Sequence, residues 1–449
     1  MGNSKIPWTI AILAMTALSR ADAAGPSLVD TRDPVLENLV AGAFGRNPDA
    51  RSAEASAEAA TYRIAPARTL PDPFLSLGYQ NDGRRFTLGT RDMTFLGATI
   101  SQPFPWPGKL KLAGEIAESE SKQNEREVLG RTRRAVEARV RRAFYDWQLS
   151  RALLDLVEER RAAWRQIEEV ARDRYSAGLA IQQDVLRAQV ELLRLDEEAA
   201  VRSAAVSARL AELDRAAGRP QDAPIEEAKP LSLDTSLPDL PEVIERLRRE
   251  HPELAGGEAA IETGRLRVAL ARRNFLPDLV ASAGPMYRGA LDPMWQVGLG
   301  ISLPIHSGSR QRHQLREAEA NLRAGQAQLA SAEQELEFRT RERYETLQGV
   351  LRGARIYRDG VIPTDQISLE SAMASYRSGR TPFVTVIEAL NALYADRSGL
   401  LGRLAEAQKL RVAIEEADLG AGAAMPSAGV ATGAMSNAGE PGGSPNPMR

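Results

Sequence analysis

Cysteine is absent from all 449 residues of this chain. Its absence excludes disulfides, thiolate metal ligands, cysteine nucleophiles and a lipid anchor on an N-terminal cysteine. Histidine is scarce, with His251, His306 and His313 as the three copies. His306 and His313 are not at the i, i+4 spacing of a helical metal site, and His251 precedes a proline, where it suits a turn or cap. The sequence therefore predicts no metal site and no cofactor.

An excess of charge of one sign is also lacking. The chain has 58 basic and 60 acidic residues, a net charge of −2, and both signs alternate along its length. This pattern predicts no nucleic-acid partner. Because no P-loop, dinucleotide fingerprint or nucleophile elbow is present either, we expect the chain not to be an enzyme.

Long hydrophobic runs are missing after the N-terminus. Residues 1–23 contain Lys5, an apolar core of about 13 residues and the small-x-small sequence Ala21-Asp22-Ala23, which together predict a cleaved secretory signal peptide. A spanning helix needs about 20 apolar residues, and no later run approaches that length. We therefore expect an exported, non-lipidated chain without transmembrane helices.

What is present is an internal repeat. Residues 171–193 align with residues 372–394 at an offset of 201, with six identities in 23 positions. Asn47-Pro48 and His251-Pro252 recur in the same order, as do Leu-Pro-Asp at 70–72 and 276–278 and Ser-x-Pro at 101–103 and 302–304. Two homologous halves of about 200 residues are the simplest explanation.

Each half predicts two strands and a helical hairpin. In the first half, 24–218, strands are expected over about 72–82 and 93–104 and helices over about 110–177 and 182–217. In the second half, 241–420, strands are expected over about 277–287 and 294–305 and helices over about 310–378 and 382–419, with a kink at Pro363. A proline-rich connector at 219–240 separates the halves, and residues 421–449 read as a disordered tail. A heptad seam is expected in the second long helix at Leu315, Ala318, Leu322, Gly325, Leu329, Ala332 and Leu336.

The strands alternate between apolar and small or polar residues, and strands of about 10 residues span an outer membrane when tilted. Four strands cannot close a barrel, and a bilayer does not tolerate unpaired strand edges. Three chains would supply twelve strands, enough for an open lumen. A soluble four-stranded sheet beside a coiled coil is the alternative.

The chain resembles TolC-like outer-membrane efflux proteins over about 30–420. The resembling segments are NPDARSAEASAEAA, LPDPFLSLGYQNDG, SQPFPWPGKLKLAGEIAE, RYSAGLAIQQDVLRAQVEL, FLPDLVASAG, GLGISLPIHSGSRQRHQLREAEANL and SYRSGRTPFVTVIEALNAL. The resemblance implies a mostly α fold with membrane β: a homotrimer with a twelve-stranded barrel among outer-membrane lipids and a long periplasmic α-helical barrel. It also implies a periplasmic adaptor and an inner-membrane RND-type pump as partners.

The function implied is a passive exit duct of a tripartite efflux system. LPDPFLSLGYQ followed by QPFPWPGK looks closest to members that serve cation or heavy-metal efflux, so metal cations are the expected substrate. Drug or solvent efflux, a type I secretion duct and a periplasmic coiled-coil adaptor remain alternatives.

The resemblance also implies site residues. Adaptor-docking tips are expected at the Tyr-x-x-Gly turns, with residues Tyr175, Gly178, Leu179, Tyr376 and Gly379. Family members carry acidic residues six and nine positions after the second glycine, and these positions hold Thr385 and Glu388 here. The corresponding first-half positions hold Asp184 and Arg187, and Arg377 or Arg380 could bridge Glu388. Thr385 departs from the family pattern, which leaves one expected acidic ring, formed by Glu388.

Overall fold

The computed structural model describes Leu28 and residues 33–82, 84–89, 91–221, 223–226 and 228–419. The predicted signal peptide at 1–23 and the predicted tail at 421–449 lie outside these residues. The described chain has one small antiparallel sheet and two long helical hairpins. Among the described residues, no helix combines the length and the apolar character that a membrane crossing requires.

Four strands form one sheet, to which each half of the chain contributes two. They are β1 (Phe74–Gln80), β2 (Phe95–Phe104), β3 (Asp278–Arg288) and β4 (Leu291–Ser302), antiparallel in that order. The pairing of β2 with β3 joins the two halves, from Leu96 opposite Tyr287 to Phe104 opposite Leu279. Within the described residues, β1 and β4 each keep one unpaired edge.

One face of this sheet is apolar and exposed from end to end. The strand register places on this face Leu75, Leu77, Tyr79, Leu96, Ile100, Leu279, Tyr287, Trp295, Val297, Leu299 and Ile301. The opposite face carries small and polar residues, among them Ser282 and Gly298, and Gln296 Nε2 donates to Thr99 Oγ1 at 2.9 Å. An exposed apolar face of this extent needs a cover of lipid or protein.

The first long helix begins just after β2. It comprises α4 (Lys109–Gln123), a π-helical segment (Asn124–Leu129) and α5 (Gly130–Ser176), and α6 (Gln182–Ala217) returns beside α5. The sequence predicts one nearly unbroken helix here, and the structure adds the π-helical segment. This segment coincides with tight packing: a Cβ atom on Gly130 would lie 2.8 Å from Pro252 Cβ.

The second long helix is also interrupted. It comprises α9 (Gln311–Ile356), a π-helical segment (Tyr357–Val361) and α10 (Ile362–Arg377), followed by the return helix α11 (Phe383–Glu416). Pro363, where the sequence predicts a kink, stands at the second residue of α10, directly after the π-helical segment. Proline has no N–H to donate and its ring clashes with the carbonyl four residues earlier, so a local change to wider helical turns relieves both problems.

Short helices precede each hairpin. They are α1 (Pro34–Arg46), α2 (Pro48–Thr61) and α3 (Ile64–Arg68) in the first half, and α7 (Leu240–Glu250) and α8 (Pro252–Arg273) in the second. Asn47 and His251 separate equivalent helix pairs. Asn47 Nδ2 donates to Ala216 O at 3.1 Å, and His251 Nε2 lies 3.1 Å from Ala417 O, the carbonyl 201 residues after Ala216.

These two equivalent residues differ in one respect. Asn47 Oδ1 accepts from the Asp49 N–H at 2.8 Å and so caps α2, whereas the His251 side chain makes no capping bond to α8. His251 therefore lies in the predicted turn, at the N-cap position of α8, without a capping bond from its side chain. Its side chain ties the start of α8 to the end of α11.

The core is divided into three buried clusters. One fills the first half around Phe144 and Trp147, and a second fills the second half around Leu336 and Leu347. The third lies between the two hairpins towards their tips, around Trp164, and draws on α5, α6, α10 and α11. Buried residues of the second long helix continue the predicted heptad seam at Ala332, Leu336, Tyr344, Leu347, Leu351 and Ala354.

A buried lysine fastens the sheet to the helices. Lys109, at the start of α4, donates to Asp278 Oδ1 at 2.8 Å and to Leu276 O at 3.0 Å. The Trp106 N–H donates to the same Asp278 oxygen at 2.7 Å. The PWPGK segment of the first half therefore binds the LPD segment of the second, which fixes the sheet relative to both hairpins.

Candidate functional site at the hairpin tips

Both hairpins end in the same backbone turn. In the first tip (residues 175–181), Gly178 has a φ of 70°, and Leu179 N donates to Arg174 O at 2.8 Å. In the second tip (residues 376–382), Gly379 has a φ of 74°, and Arg380 N donates to Ser375 O at 2.9 Å. These bonds form the same helix-ending motif, in which glycine adopts the left-handed conformation without strain.

Arg174 connects the two tips. Its guanidinium donates to Leu179 O at 2.9 Å within the first tip and to Arg377 O in the second. It also lies 4.8 Å from the centre of the Tyr376 ring, in cation–π geometry. One side chain of the first hairpin therefore holds both tips in a fixed relation. The sequence reasoning missed Arg174, whose second-half counterpart is Ser375.

The two tip tyrosines have different environments. Tyr175 is 46% exposed, whereas Tyr376 is 3% exposed and packs on Phe383, with ring centres 5.2 Å apart. The Tyr376 hydroxyl donates to Asp184 Oδ2 at 3.3 Å. Burial and the adjacent Asp184 carboxylate raise the pKa of Tyr376 to about 12. Of the predicted tip residues, Tyr175 and Leu179 are exposed side chains that a partner could contact, and Tyr376 is a packing residue.

An apolar surface continues from the first tip along α6. Leu179 and Ile181 are both largely exposed. Leu186, Val190 and Leu193 follow on α6 at helical spacing, and all three are exposed. The first tip therefore offers an apolar contact surface.

The predicted aperture residues lie close to these turns. Glu388 on α11 is exposed, and within the described part of the chain it makes no hydrogen bond or ion pair. Thr385 is half-buried, one turn earlier on the same helix. Arg380 Nε binds Ser378 Oγ at 2.9 Å, so the predicted bridge from Arg380 to Glu388 is not formed within one chain.

The first-half counterparts are divided as well. Asp184 is half-buried and accepts from Tyr376, so its carboxylate is used inside the chain. Arg187 is exposed, without an ion pair among the described residues. Among the four predicted aperture residues, Glu388 and Arg187 are charged and make no ion pair within the described chain.

A pair of acidic residues lies further from the tips. Asp365 on α10 lies beside Asp396 on α11, and burial followed by that neighbouring carboxyl group raises the pKa of Asp365. The two residues are 31 positions apart in the sequence, and only the pairing of α10 with α11 reveals that they meet. Neither residue was a candidate from the sequence.

Metal ligands do not converge in the described residues, where no group of three or more His, Asp or Glu side chains could hold an ion. His306 and His313 are both exposed, in and just after the turn that precedes α9. The arrangement at the tips offers contact surfaces and fixed charges.

Known proteins share parts of this sequence. The fusaric acid resistance protein FusA of Burkholderia cepacia is 29% identical over 202 residues, 42% of this chain and 38% of FusA. The toluene efflux pump outer membrane protein TtgF of Pseudomonas putida is 25% identical over 305 residues, 63% of this chain and 62% of TtgF. The chain thus covers less than two thirds of the length of either relative.

The fold is shared more completely. The outer membrane protein VceC of Vibrio cholerae superposes with a TM-score of 0.71 at 20% identity, covering 86% of this chain and 96% of VceC. A family model described as outer membrane efflux protein matches residues 39–219 and 243–418, one segment in each half, and the unmatched gap overlaps the predicted connector. The resemblance inferred from the sequence is thereby confirmed, and the chain belongs to the outer membrane efflux protein family.

Proposed function

We propose that this chain is the outer-membrane exit duct of a tripartite efflux system and conducts substrates passively. The observation that carries the proposal is the shape of one protomer. A four-stranded sheet with one exposed apolar face stands at one end, and two joined hairpin tips stand at the other. The first long helix covers 68 residues, about 100 Å at 1.5 Å per residue. That length suits a conduit between two compartments.

The sheet supports a trimer. Its outer edges, β1 and β4, are unpaired in the described chain, and a bilayer does not tolerate free edges. Three copies would close twelve strands into a ring, with the apolar face towards lipid and the face of Ser282 and Gln296 towards the lumen.

The tips support docking of other proteins. The exposed side chains of Tyr175, Leu179 and Ile181 would meet a periplasmic adaptor, which in turn contacts an inner-membrane pump of the RND type. Glu388 would face the axis of the trimer, where three carboxylates attract cations and narrow the passage.

Two substrate classes follow from different observations. The sequence resemblance favours metal cations. The names of FusA and TtgF refer to fusaric acid and toluene, which favours organic compounds. Deleting the gene in its host separates these classes. Increased sensitivity to cobalt, zinc, cadmium or copper salts alone supports metals, whereas increased sensitivity to toluene or fusaric acid alone supports organic compounds.

The ring itself is tested by cross-linking. Because the chain has no cysteine, Leu77→Cys on β1 and Leu299→Cys on β4 introduce the only thiols. Within one chain these strands are three spacings apart, about 14 Å, whereas in a closed ring β4 of one copy lies about 5 Å from β1 of the next. A thiol cross-linker with a span of about 8 Å should therefore give covalent dimers and trimers in outer membranes.

The single-cysteine variants Leu77→Cys and Leu299→Cys are the matched controls, and they should remain monomeric on a denaturing gel. A doubly substituted chain that is folded, yet gives only monomers, would contradict the ring.

A further inference from the structure

A loop lies at the end of the sheet away from the helices. It joins β1 to β2 and packs on the turn between β3 and β4. Gly89 and Gly289, with φ values of 84° and 64°, touch each other: a Cβ atom on Gly89 would lie 2.4 Å from Ala290 N. Thr94 is fully buried, and its hydroxyl lies 3.1 Å from both Asn81 Oδ1 and Asp82 Oδ1. These contacts hold the described residues of the loop against the neighbouring turn.

An aromatic pair places this loop on the apolar side of the sheet. Phe86 stacks on Tyr79 with ring centres 4.5 Å apart and is 80% exposed. The Tyr79 hydroxyl donates to Thr87 O at 2.7 Å and accepts from Thr87 N at 3.1 Å. Tyr79 belongs to the apolar face, so Phe86 extends that face beyond the end of β1. Exposed aromatic rings at this level are typical of the boundary between lipid tails and headgroups.

Three arginines lie in the same loop as Phe86. Arg84, Arg85 and Arg91 line a surface concavity with a volume of about 800 Å³, together with Asn81, Asp82 and Thr87. Asp82 is the one carboxylate in that lining, and it lies 3.9 Å from Arg91. In the described part of the chain, Arg84 and Arg85 make no ion pair through their side chains. The concavity thus presents uncompensated positive charge.

The neighbouring acidic residue does not neutralise this charge. Asp92 lies 3.4 Å from Arg288, the last residue of β3, and is outside the lining of the concavity. Arginine forms bidentate hydrogen bonds with phosphate, and its charge is always present. A loop that carries both these arginines and an exposed phenylalanine suits an amphiphile with phosphate on a compact headgroup and attached acyl chains.

We propose that this concavity binds the phosphorylated disaccharide headgroup of the outer-leaflet lipid, lipid A. Arg84, Arg85 and Arg91 hold its phosphates, and Phe86 lies against the first part of its acyl chains. The proposal rests on the proposed function, because it requires the sheet to stand in an outer membrane. An anion-selective channel mouth would use the same arginines, but the stacking of Phe86 on Tyr79 places the loop on the lipid side.

The test measures lipid binding to the full chain purified in detergent. Native mass spectrometry compares bis-phosphorylated lipid A with the same lipid after removal of both phosphates. The wild-type chain should bind the phosphorylated form at least about 10-fold more tightly, since a tenfold preference needs only about 1.4 kcal/mol, the scale of one charge-assisted hydrogen bond. In the triple variant Arg84→Gln, Arg85→Gln and Arg91→Gln this preference should disappear.

Arg165→Gln, an exposed arginine of α5 without an ion pair among the described residues, is the matched control and should keep the preference. A triple variant that retains the wild-type preference would overturn the site. Competition by inorganic pyrophosphate as effective as that by lipid A would overturn the assignment to lipid. A changed ion selectivity with unchanged lipid binding would place the arginines at the channel mouth instead.

Failure of the site and failure of the proposed function give different results. If the chain forms cross-linked trimers in outer membranes but shows no phosphate preference, only the lipid site is lost. If the Leu77→Cys, Leu299→Cys chain gives no trimers, the exit duct itself is in question, whatever the lipid result.

Discussion

Tyr175 and Tyr376 occupy equivalent positions of the two tips, but only one of them is available to a partner. The difference arises from Arg174 and Phe383, which pack on the Tyr376 ring, and from Asp184, which accepts a hydrogen bond from its hydroxyl group. The first tip therefore presents an exposed aromatic ring, whereas the equivalent ring of the second tip packs inside the chain.

His251 is the residue at which acid should act on the fold. Its side chain is 3% exposed, and burial, followed by the nearby Arg134 charge, lowers the pKa of His251 from 6.5 to about 4. In the unfolded chain the His251 side chain is therefore protonated near pH 6.5, whereas in the folded chain it is protonated only near pH 4. The contribution of neutral His251 to the free energy of unfolding is complete above pH 6.5. It is lost as the pH decreases towards 4, a change of about 3 kcal/mol in total.

His251→Asn should remove this acid sensitivity, because asparagine fills the equivalent position of the first half and binds the equivalent carbonyl. Thermal unfolding followed by circular dichroism from pH 7 to pH 4 measures the effect as a difference between variant and wild type. The variant should gain relative stability as the pH falls. His313→Asn, at an exposed histidine, is the control, and a parallel pH profile of His251→Asn and wild type would contradict the prediction.

At the scale of single residues, the sequence predicts some features and not others. The repeated Tyr-x-x-Gly pattern predicts both glycine turns, because a left-handed residue at a helix end depends on local chemistry. It does not predict which tyrosine is buried, nor that Arg174 contacts the other hairpin. Those facts depend on how two segments that are far apart in the sequence pack against each other. No local sequence pattern indicates that packing.

Among the elements, the sheet depends most on close backbone approach. Gly284 lies where β3 pairs with β2, and a Cβ atom there would come within 1.9 Å of Ala98 O. Gly284→Ala should therefore force β2 and β3 apart and lower the free energy of unfolding by about 1–3 kcal/mol. Gly300→Ala is the matched control on β4, where the nearest atom would be 3.8 Å away.

The measurement is the temperature at which purified protein in detergent loses its β-sheet and helical signals. We expect Gly284→Ala to unfold at a lower temperature than Gly300→Ala, and to reach the membrane in smaller amounts. Equal midpoints for the two variants would show that the strands adjust without cost.

The elements themselves follow closely from local pattern. Alternation of apolar and small residues predicts β4, and the long proline-free stretch predicts the helical course of α4 and α5. No sequence pattern predicts the π-helical segments, which coincide with the close approach of Gly130 to Pro252 in the first long helix and directly precede Pro363 in the second. The pairing of β2 with β3 has no local signal either, since these strands are far apart in the sequence.

For the whole molecule, the duplication predicts the fold class correctly: a mostly helical protomer with a small antiparallel sheet, of the kind found in TolC-like channels. Two homologous halves with strands and hairpins in the same order allow few arrangements. The proposed aperture residues are different in kind, because they would act between copies. No pattern within one chain reports their distance from a symmetry axis.

Glu388 provides the test of the aperture. In the proposed trimer, three Glu388 carboxylates approach one axis, and donors from other copies could bridge them and hold the passage closed. Glu388→Ala should therefore increase single-channel conductance in planar bilayers and reduce the preference for cations. Glu197→Gln, at an exposed carboxylate of α6, should leave both quantities unchanged. A closed pore with unaltered conductance in Glu388→Ala would argue against the ring.

The two free edges of the sheet also have a genetic consequence. In the proposed ring every copy pairs β1 with one neighbour and β4 with the other. A single copy with a defective edge strand therefore leaves one junction of the ring unpaired, and the other two copies cannot close it. When a defective and an intact allele are expressed equally, roughly one ring in eight contains only intact copies. An edge-strand defect would therefore be dominant over the normal gene, whereas an allele that makes no protein would be recessive.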